Sequence, residues 1–251
     1  MNNDLIAGVP DLLKGLAMPT YPSIHAGWHS RLKSAHFHHT AELIREFGAL
    51  IGCDPWLFSC LDTVVDEVNI HEAADRGRLA EAAAQLTGRI QAKYHEHGID
   101  QKPFVFLKAD SGTYGMGVMA IEDPNAIVDL NRRDRNQLYK GKGATVIRRY
   151  LLQEGVPSAQ RVDDHVGEVC VYQVVNHLVG GFYRTHSGKT ARENLNSPGM
   201  GFKTMCPHSA RYGDPGVHDE LTVFDAYRLL ARIAGIAAMR EIQQLETAVT
   251  A

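Results

Sequence analysis

No apolar run in this sequence approaches the roughly 20 residues that a bilayer-spanning helix needs, so no membrane segment is expected. The first residues, MNNDLIAGVPDLLKG, lack both a basic n-region and a long apolar stretch and do not read as a signal peptide. Charge of one sign is also missing. Lysine and arginine number 26 against 29 aspartates and glutamates, a formal −3, and the basic residues are dispersed apart from short groups such as Arg132-Arg133 and Arg148-Arg149. That leaves no footprint for nucleic acid or an acidic membrane. The four cysteines (Cys53, Cys60, Cys170, Cys206) form no CxxC pair and no ligand-like spacing with histidine. Reduced thiols in a cytoplasmic protein are therefore expected rather than a disulfide framework. Internal repeats and low-complexity segments are absent.

What is present is an ordinary globular composition, 44% hydrophobic and 22% charged over 251 residues. Such a chain can bury a real core as one large domain or as two joined lobes. Residues 1–30 are rich in proline and glycine, which break any long element. From Ser34 to about Ile51, Phe37, Ala41, Ile44 and Phe47 recur at helical spacing, and the alanine-rich stretch 72–97 reads as a second helix stopping at Gly98. The period then changes. FVFL, GVMAI, TVIRRYLL, EVCVYQVV and HLVGGFYR are short β-branched or aromatic runs between turn residues, hence strands, with Asn176-His177 turning the last two into a hairpin. A long amphipathic helix is expected from about Glu220 to Leu245, with Leu221, Phe224, Leu229, Ile233 and Ile236 on or near one stripe. Helices, antiparallel strands and a closing helix give an α+β fold.

Residues 104–121, FVFLKADSGTYGMGVMAI, place Lys108 at the end of a strand and directly before a glycine loop. Gly112, Gly115 and Gly117 let backbone N–H groups converge, Ser111 and Thr113 add hydroxyl donors, and Lys108 adds a point charge for phosphate oxygens. No lysine follows the glycines as in a Walker A loop, and the order is the reverse of a protein-kinase loop. Gly115-x-Gly117-x-x-Ala120 fits the dinucleotide fingerprint but runs into a strand where a helix is required. Strand, lysine, glycine loop, strand is the order of a hairpin that folds over a nucleotide as a lid. A glycine-rich hairpin with a solvated lysine is the alternative.

Other groups fall where such a lid would use them. Arg31 and Lys33 precede a helix and could reach phosphate from its N-terminus. Gln153 and Glu154 end a strand and could offer backbone groups to a purine and a carboxylate to a ribose. Glu193, Asn194 and Asn196 gather a carboxylate and amide oxygens, hard-ligand chemistry suited to Mg²⁺, although asparagine-rich turns are common without a metal. His36, His38 and His39 have no cysteine or carboxylate completing an obvious zinc set nearby and read as surface groups or supports of a neighbouring site.

Taken in order, Lys33, Lys108 with its loop, Gln153-Glu154, Arg184 and Glu193/Asn194/Asn196 resemble an ATP-grasp ligase. The phrases NNDL, HAGW, RLKSAHF, FLKADSGTYGMGV, LLQEGV, GGFYR and ENLNSPGMGF resemble in particular the glutamate–cysteine ligase of many proteobacteria, across essentially the whole chain. The resemblance implies ATP and Mg²⁺ as cofactors and L-glutamate and L-cysteine as substrates, joined through an acyl phosphate in glutathione biosynthesis. It implies two ATP-grasp lobes, 31–152 and 153–251, enclosing the nucleotide, with 1–30 the remnant of an N-terminal region. Lys33 and Lys108 would hold phosphates under the loop of Ser111, Gly112, Thr113, Gly115 and Gly117. Gln153 and Glu154 would sit by the adenosine, and Arg184, with Lys108, would serve the transferring phosphoryl group. Glu193, Asn194 and Asn196 would present the metal, with Glu168 as the second acidic ligand. Relatives carry further sequence before NNDL, so the chain is expected to be shorter than they are, and self-association of an exposed apolar face is an expectation. The rival readings are the same fold joining another carboxylate and amine, and a nucleotide-binding module without turnover.

Overall fold

A computed structural model describes residues 8–18, 20, 23–112, 117–141, 146–174, 177–205 and 223–250. Helix α1 (Lys33–Ile51) forms on the expected spacing and buries Ile44. It stops at Gly52, whose φ of 67° needs glycine and whose N–H bonds back to Gly48. Helix α2 (Ala73–Glu96) buries Leu79, Ala83, Leu86 and Ile90, one residue every turn along a single face. Each fully buried leucine or isoleucine contributes about 1.5–3 kcal/mol. Gly98, at φ 65°, follows the end of α2.

That apolar face covers a four-stranded antiparallel sheet ordered β1-β4-β2-β3, made of β1 (Asp62–Val65), β2 (Val105–Ala109), β3 (Val118–Ile121) and β4 (Tyr150–Glu154). Strand β2 alternates cleanly: Val105, Leu107 and Ala109 are buried in the core, whereas Phe106 and Lys108 point to the other face. The short helix α3 (Arg132–Tyr139) lies between β3 and β4 in sequence and is capped by the Asn131 side chain, which accepts from Asp134 N–H.

A second antiparallel sheet runs β5-β6-β7-β8 in simple sequence order: β5 (Arg161–Val162), β6 (His165–Val174), β7 (His177–His186) and β8 (Met200–Thr204). Helix α4 (Val223–Thr250) contacts β6 and β7 and also packs along α1. Among its described side chains Ile233, Ala237 and Glu241 are buried, at helical spacing, while Ile236 is exposed. Arg31 grips the Glu241 carboxylate with two hydrogen bonds of 3.0 and 2.7 Å, tying the C-terminal helix to the segment before α1.

The α+β expectation holds, with two antiparallel sheets and four α-helices among the described residues. The expected strand TVIRRYLL is shorter than its apolar pattern: pairing begins at Tyr150, and Val146 makes only an isolated bridge to Lys140. Strands β1, β5 and β8 and helix α3 carry too little apolar pattern to stand out. Thr113, Gly115, Asn176 and Cys206 lie outside the described residues, as do the Leu221 and Phe224 side chains.

Candidate active site

The pleat of β2 places Lys108 on the sheet face opposite the core, beside Gln153 of β4. Its ammonium donates to Gln153 Oε1 and lies 5.1 Å from the centre of the Phe37 ring of α1. Burial pushes the Lys108 amine below its ordinary range.

Lys33, at the first position of α1, turns its ammonium onto the exit of β2. Nζ lies 2.8, 3.3, 3.1 and 3.0 Å from the carbonyl oxygens of Ala109, Asp110, Ser111 and Gly112. Burial first, and then the Lys108 ammonium, push it down to about 8. The surrounding carbonyls work against that shift by accepting from the charged form. The N-terminus of α1 is itself occupied. Leu32 offers no cap, and the buried Asp110 instead accepts from Ser34 N–H at 2.8 Å and from Ser34 Oγ at 2.6 Å. Arg149 holds the same carboxylate at 2.6 Å. The free helix terminus expected to receive phosphate is thus taken by Asp110, and Arg31 is turned away to Glu241. Gly112 and Gly117, at φ 87° and 65°, make the left-handed bends on either side of the loop.

From the second sheet, Glu168 and Arg184 face each other across β6 and β7 and pair at 2.8 Å. Arg184 Nε is buried without a hydrogen-bond partner among the described residues. The segment joining β7 to β8 carries Glu193, Asn194 and Asn196. Glu193 accepts from Lys189 Nζ at 2.8 Å and from Thr190 N–H at 2.9 Å, and these two donors, Lys189 foremost, hold its carboxyl down to about 2. Asn194 Oδ1 accepts from Asn196 N–H at 3.0 Å. The two limbs of this segment are joined by the buried His186 at the end of β7. Gly188 N–H donates to Nδ1 at 3.1 Å, and Nε2 lies 3.1 Å from the Pro198 carbonyl, which fits the neutral Nε2–H tautomer. Gly199, at φ 96°, lets the chain pass the ring, where any Cβ would lie 3.3 Å from it.

These parts meet around one cavity of about 360 Å³, whose walls include Lys33, Lys108 and Gln153 from the first sheet and its helix, and Glu168, Glu193 and Asn194 from the second. Glu154 also borders it, but its carboxylate is committed inward. Both oxygens meet Trp56 Nε1 at 3.2 and 3.0 Å, and one accepts from Leu61 N–H at 2.9 Å. The ribose role expected of that carboxylate therefore meets a group already satisfied, with burial pushing its pKa up. Ser111 is exposed and Gly112 sits at the loop root. Arg184 reaches the cavity wall through Glu168, and Asn196 lines an adjoining cavity with Gly117.

Sequence reasoning missed Asp110, Trp56, His186 and Cys60. Cys60 lines the cavity, and burial pushes its thiol up. The one signal for Asp110 was the absence of a capping residue before α1. The three histidines of α1 are paired within the protein: His39 Nε2 with Gln244 at 3.0 Å, His38 with Glu42 at 3.3 Å, and His36 with Glu241 at 3.7 Å.

Two half-buried ammonium groups share one cavity, and an anion bound between them would relieve both shifts. Glu168, Glu193 and the side-chain amide of Asn194 are hard oxygen donors on the opposite wall. A polyphosphate with a divalent cation fits that donor set.

Fold and site together define an α+β protein of two antiparallel sheets, with a cavity lined by lysines and carboxylates drawn from both. Its family is that of GshA, glutamate-cysteine ligase, whose model matches residues 1–242, and the chain belongs to it. A crystal structure from Methylobacillus flagellatus KT, provisionally described as a gamma-glutamylcysteine synthetase, superposes with a TM-score of 0.83 at 38% identity. The match covers 97% of this chain and 58% of that one, so this chain spans well under two thirds of its relative. Comparison with curated proteins gave no match. No helix among the described residues is long and apolar enough to cross a membrane.

Proposed function

We propose that the chain carries the ATP site of an ADP-forming ligase that joins L-glutamate to L-cysteine through the γ-carboxylate. The observation that carries this reading is the single cavity uniting Lys33, Lys108, Gln153, Glu168, Glu193 and Asn194 from both sheets. In this reading, lobes 31–152 and 153–251 enclose the nucleotide in the ATP-grasp manner, and an enzyme using ATP and a free thiol works in the cytoplasm.

A carboxylate is a poor electrophile. Transfer of the γ-phosphoryl group of ATP to the substrate γ-carboxylate gives an acyl phosphate and ADP. The amine, having lost its proton, then attacks the acyl carbon, the C–N bond forms and inorganic phosphate leaves. Phosphoryl transfer asks the protein mainly for positioning and charge. Lys108, at the end of β2, meets phosphate oxygens from below. Arg184, with an Nε that has no partner among the described residues and with its hold on Glu168, faces the charge that builds on the transferring group. Lys33 acts at the exit of β2, fixing the four successive carbonyls of Ala109, Asp110, Ser111 and Gly112 beside the cavity. Glu193, Asn194 and Glu168 would hold Mg²⁺, which when bound neutralises phosphate charge.

The test of this chemistry is isotope transfer. With glutamate labelled by ¹⁸O in the γ-carboxylate, one labelled oxygen should appear in the phosphate released with Mg-ATP and cysteine. Turnover that leaves the phosphate unlabelled would eliminate the acyl-phosphate route.

A further inference from the structure

Residues 191–195, in the segment joining β7 to β8, divide between two neighbours. Ala191, Glu193, Asn194 and Leu195 line the first cavity, and Arg192 among them does not. Its side chain reaches instead to the first sheet. The guanidinium carbon lies 4.3 Å from the centre of the Phe104 ring. Nη2 donates to the Lys102 carbonyl at 2.8 Å, and Nε donates to Glu122 Oε1 at 3.1 Å. Lys102 and Phe104 lead into β2 and Glu122 follows β3, so all three partners belong to the first sheet. A backbone bond steadies the same segment: Ser158 N–H, on the chain between β4 and β5, donates to the Ala191 carbonyl at 3.0 Å.

The three contacts of Arg192 differ in weight. The Glu122 side chain is 59% exposed, and an ion pair so open to water and salt gains little. Phe104 is buried and its ring is hemmed in by Gly155, whose N–H donates to the Phe104 carbonyl at 2.8 Å and on which a Cβ would fall 2.3–2.5 Å from the ring. The face of a ring held in this way attracts a cation, and the Lys102 carbonyl takes a charge-assisted hydrogen bond. A planar guanidinium makes the stack and both hydrogen bonds at once. A lysine ammonium, a point charge, cannot reproduce that set.

We infer that Arg192 is a positioning residue, a latch that docks the β7–β8 segment onto the first sheet and so sets Glu193 and Asn194 opposite Lys33 and Lys108. The inference rests on the ligase reading above for the divalent cation that Glu193 and Asn194 would hold. None of Arg192, Lys102, Phe104 and Glu122 lines the cavity, so the latch acts through the residues beside it. Lys189 and Thr190 fix the Glu193 carboxylate within its own segment, and His186 joins the two limbs of that segment. Those bonds shape the segment without tying it to the first sheet. Arg192 supplies that tie, a role that the sequence did not suggest.

The experiment is Mn²⁺ binding, read by electron paramagnetic resonance, to the chain saturated with a non-hydrolysable ATP analogue. Analogue affinity is measured separately, without divalent cation. Arg192→Ala should weaken Mn²⁺ about tenfold or more, the usual cost of losing a support behind a metal ligand. Arg192→Lys, which keeps the charge without the fork, should stay at least about threefold weaker than the wild-type chain, and Glu122→Gln within about twofold of it. Analogue affinity within about twofold in every variant would show the fold and the lysine wall intact. In turnover with glutamate and cysteine, Arg192→Ala should need about tenfold more Mg²⁺ for half-maximal ADP formation, with kcat within about threefold once Mg²⁺ saturates. Unchanged Mn²⁺ affinity in Arg192→Ala, wild-type affinity in Arg192→Lys, or a loss in Glu122→Gln equal to that in Arg192→Ala would each overturn the assignment. So would an equal loss of Mn²⁺ and analogue, a kcat that saturating Mg²⁺ does not recover, or no Mn²⁺ binding by the wild-type complex. Mn²⁺ binding that depends on Arg192, without ADP formation by the wild-type chain, would sink the ligase reading and leave the latch standing.

Discussion

Nucleotide binding in the first cavity should take up a proton, and the amount follows from Lys33. Burial and the Lys108 ammonium push that amine down to about 8 in the free protein. About half of the Lys33 side chains are then neutral at pH 8, and about 3% at pH 6.5. Phosphate oxygens between the two lysines favour the charged form of both. Binding of Mg-ATP should therefore take up as much as about 0.5 proton through Lys33 at pH 8 and less than about 0.05 at pH 6.5. The carbonyls around Nζ make half a proton the upper value. The assay is calorimetric titration at both pH values in buffers of high and low ionisation enthalpy, whose difference counts the protons. Lys33→Met should abolish the rise between pH 6.5 and 8. Uptake that is equal at the two pH values, or a rise that survives Lys33→Met, would refute the reasoning. The same shift has a consequence for the free protein. The unfolded chain keeps a proton that Lys33 has released, so this residue makes stability increase as pH rises from about 8 towards 10.5.

His186→Ala should free both limbs of the Glu193 segment and lower turnover about tenfold or more. His186→Gln, which can still accept and donate, should recover most of it, with nucleotide affinity nearly constant in both; equal losses in the two variants would argue against positioning. Gly155→Ala would place a Cβ 2.3–2.5 Å from the buried Phe104 ring and should cost about 1–3 kcal/mol in denaturant unfolding, provided the ring cannot move. Arg31→Ala strands the buried Glu241 carboxylate beside His36 alone and should cost about 3–5 kcal/mol at neutral pH. Burial alone would raise the Glu241 pKa, but the Arg31 hydrogen bonds and the nearby His36 ring outweigh it and hold the group below 4.5. Its contribution is accordingly full above the unfolded value near 4.5 and fades as pH falls through the lower folded value. An acid-unfolding profile that Arg31→Ala leaves unchanged would contradict this.

The elements legible in the sequence were those with a strong local period. Helices α1 and α2 announce themselves through apolar spacing and through Gly52 and Gly98, and the β2–β3 hairpin through alternation around Lys108. Strand β8, MGFKT, lies at a sheet edge with Phe202 exposed, so it has no buried face to imprint a pattern. Strand β1 has only four residues, all half-buried. The candidate site residues were found because lysines beside glycines, and a carboxylate beside amides, carry chemistry in their types alone. Their supports were not, because each joins segments remote in sequence: Asp110 to Ser34 across 76 positions, Trp56 to Glu154 across 98. A strand end also does not reveal which way its carboxylate turns, and Glu154 turns inward.

The central claim is that this cavity performs ATP-dependent ligation, and the most direct test is ADP release by the purified chain. With Mg-ATP, L-glutamate and L-cysteine together, ADP should accumulate, and omission of either amino acid should stop it. Lys108→Ala, which removes the cation at the head of the glycine loop, should lower kcat/KM by about a hundredfold or more. No ADP from the complete mixture, or ADP release indifferent to the amino acids and to Lys108, would contradict the account.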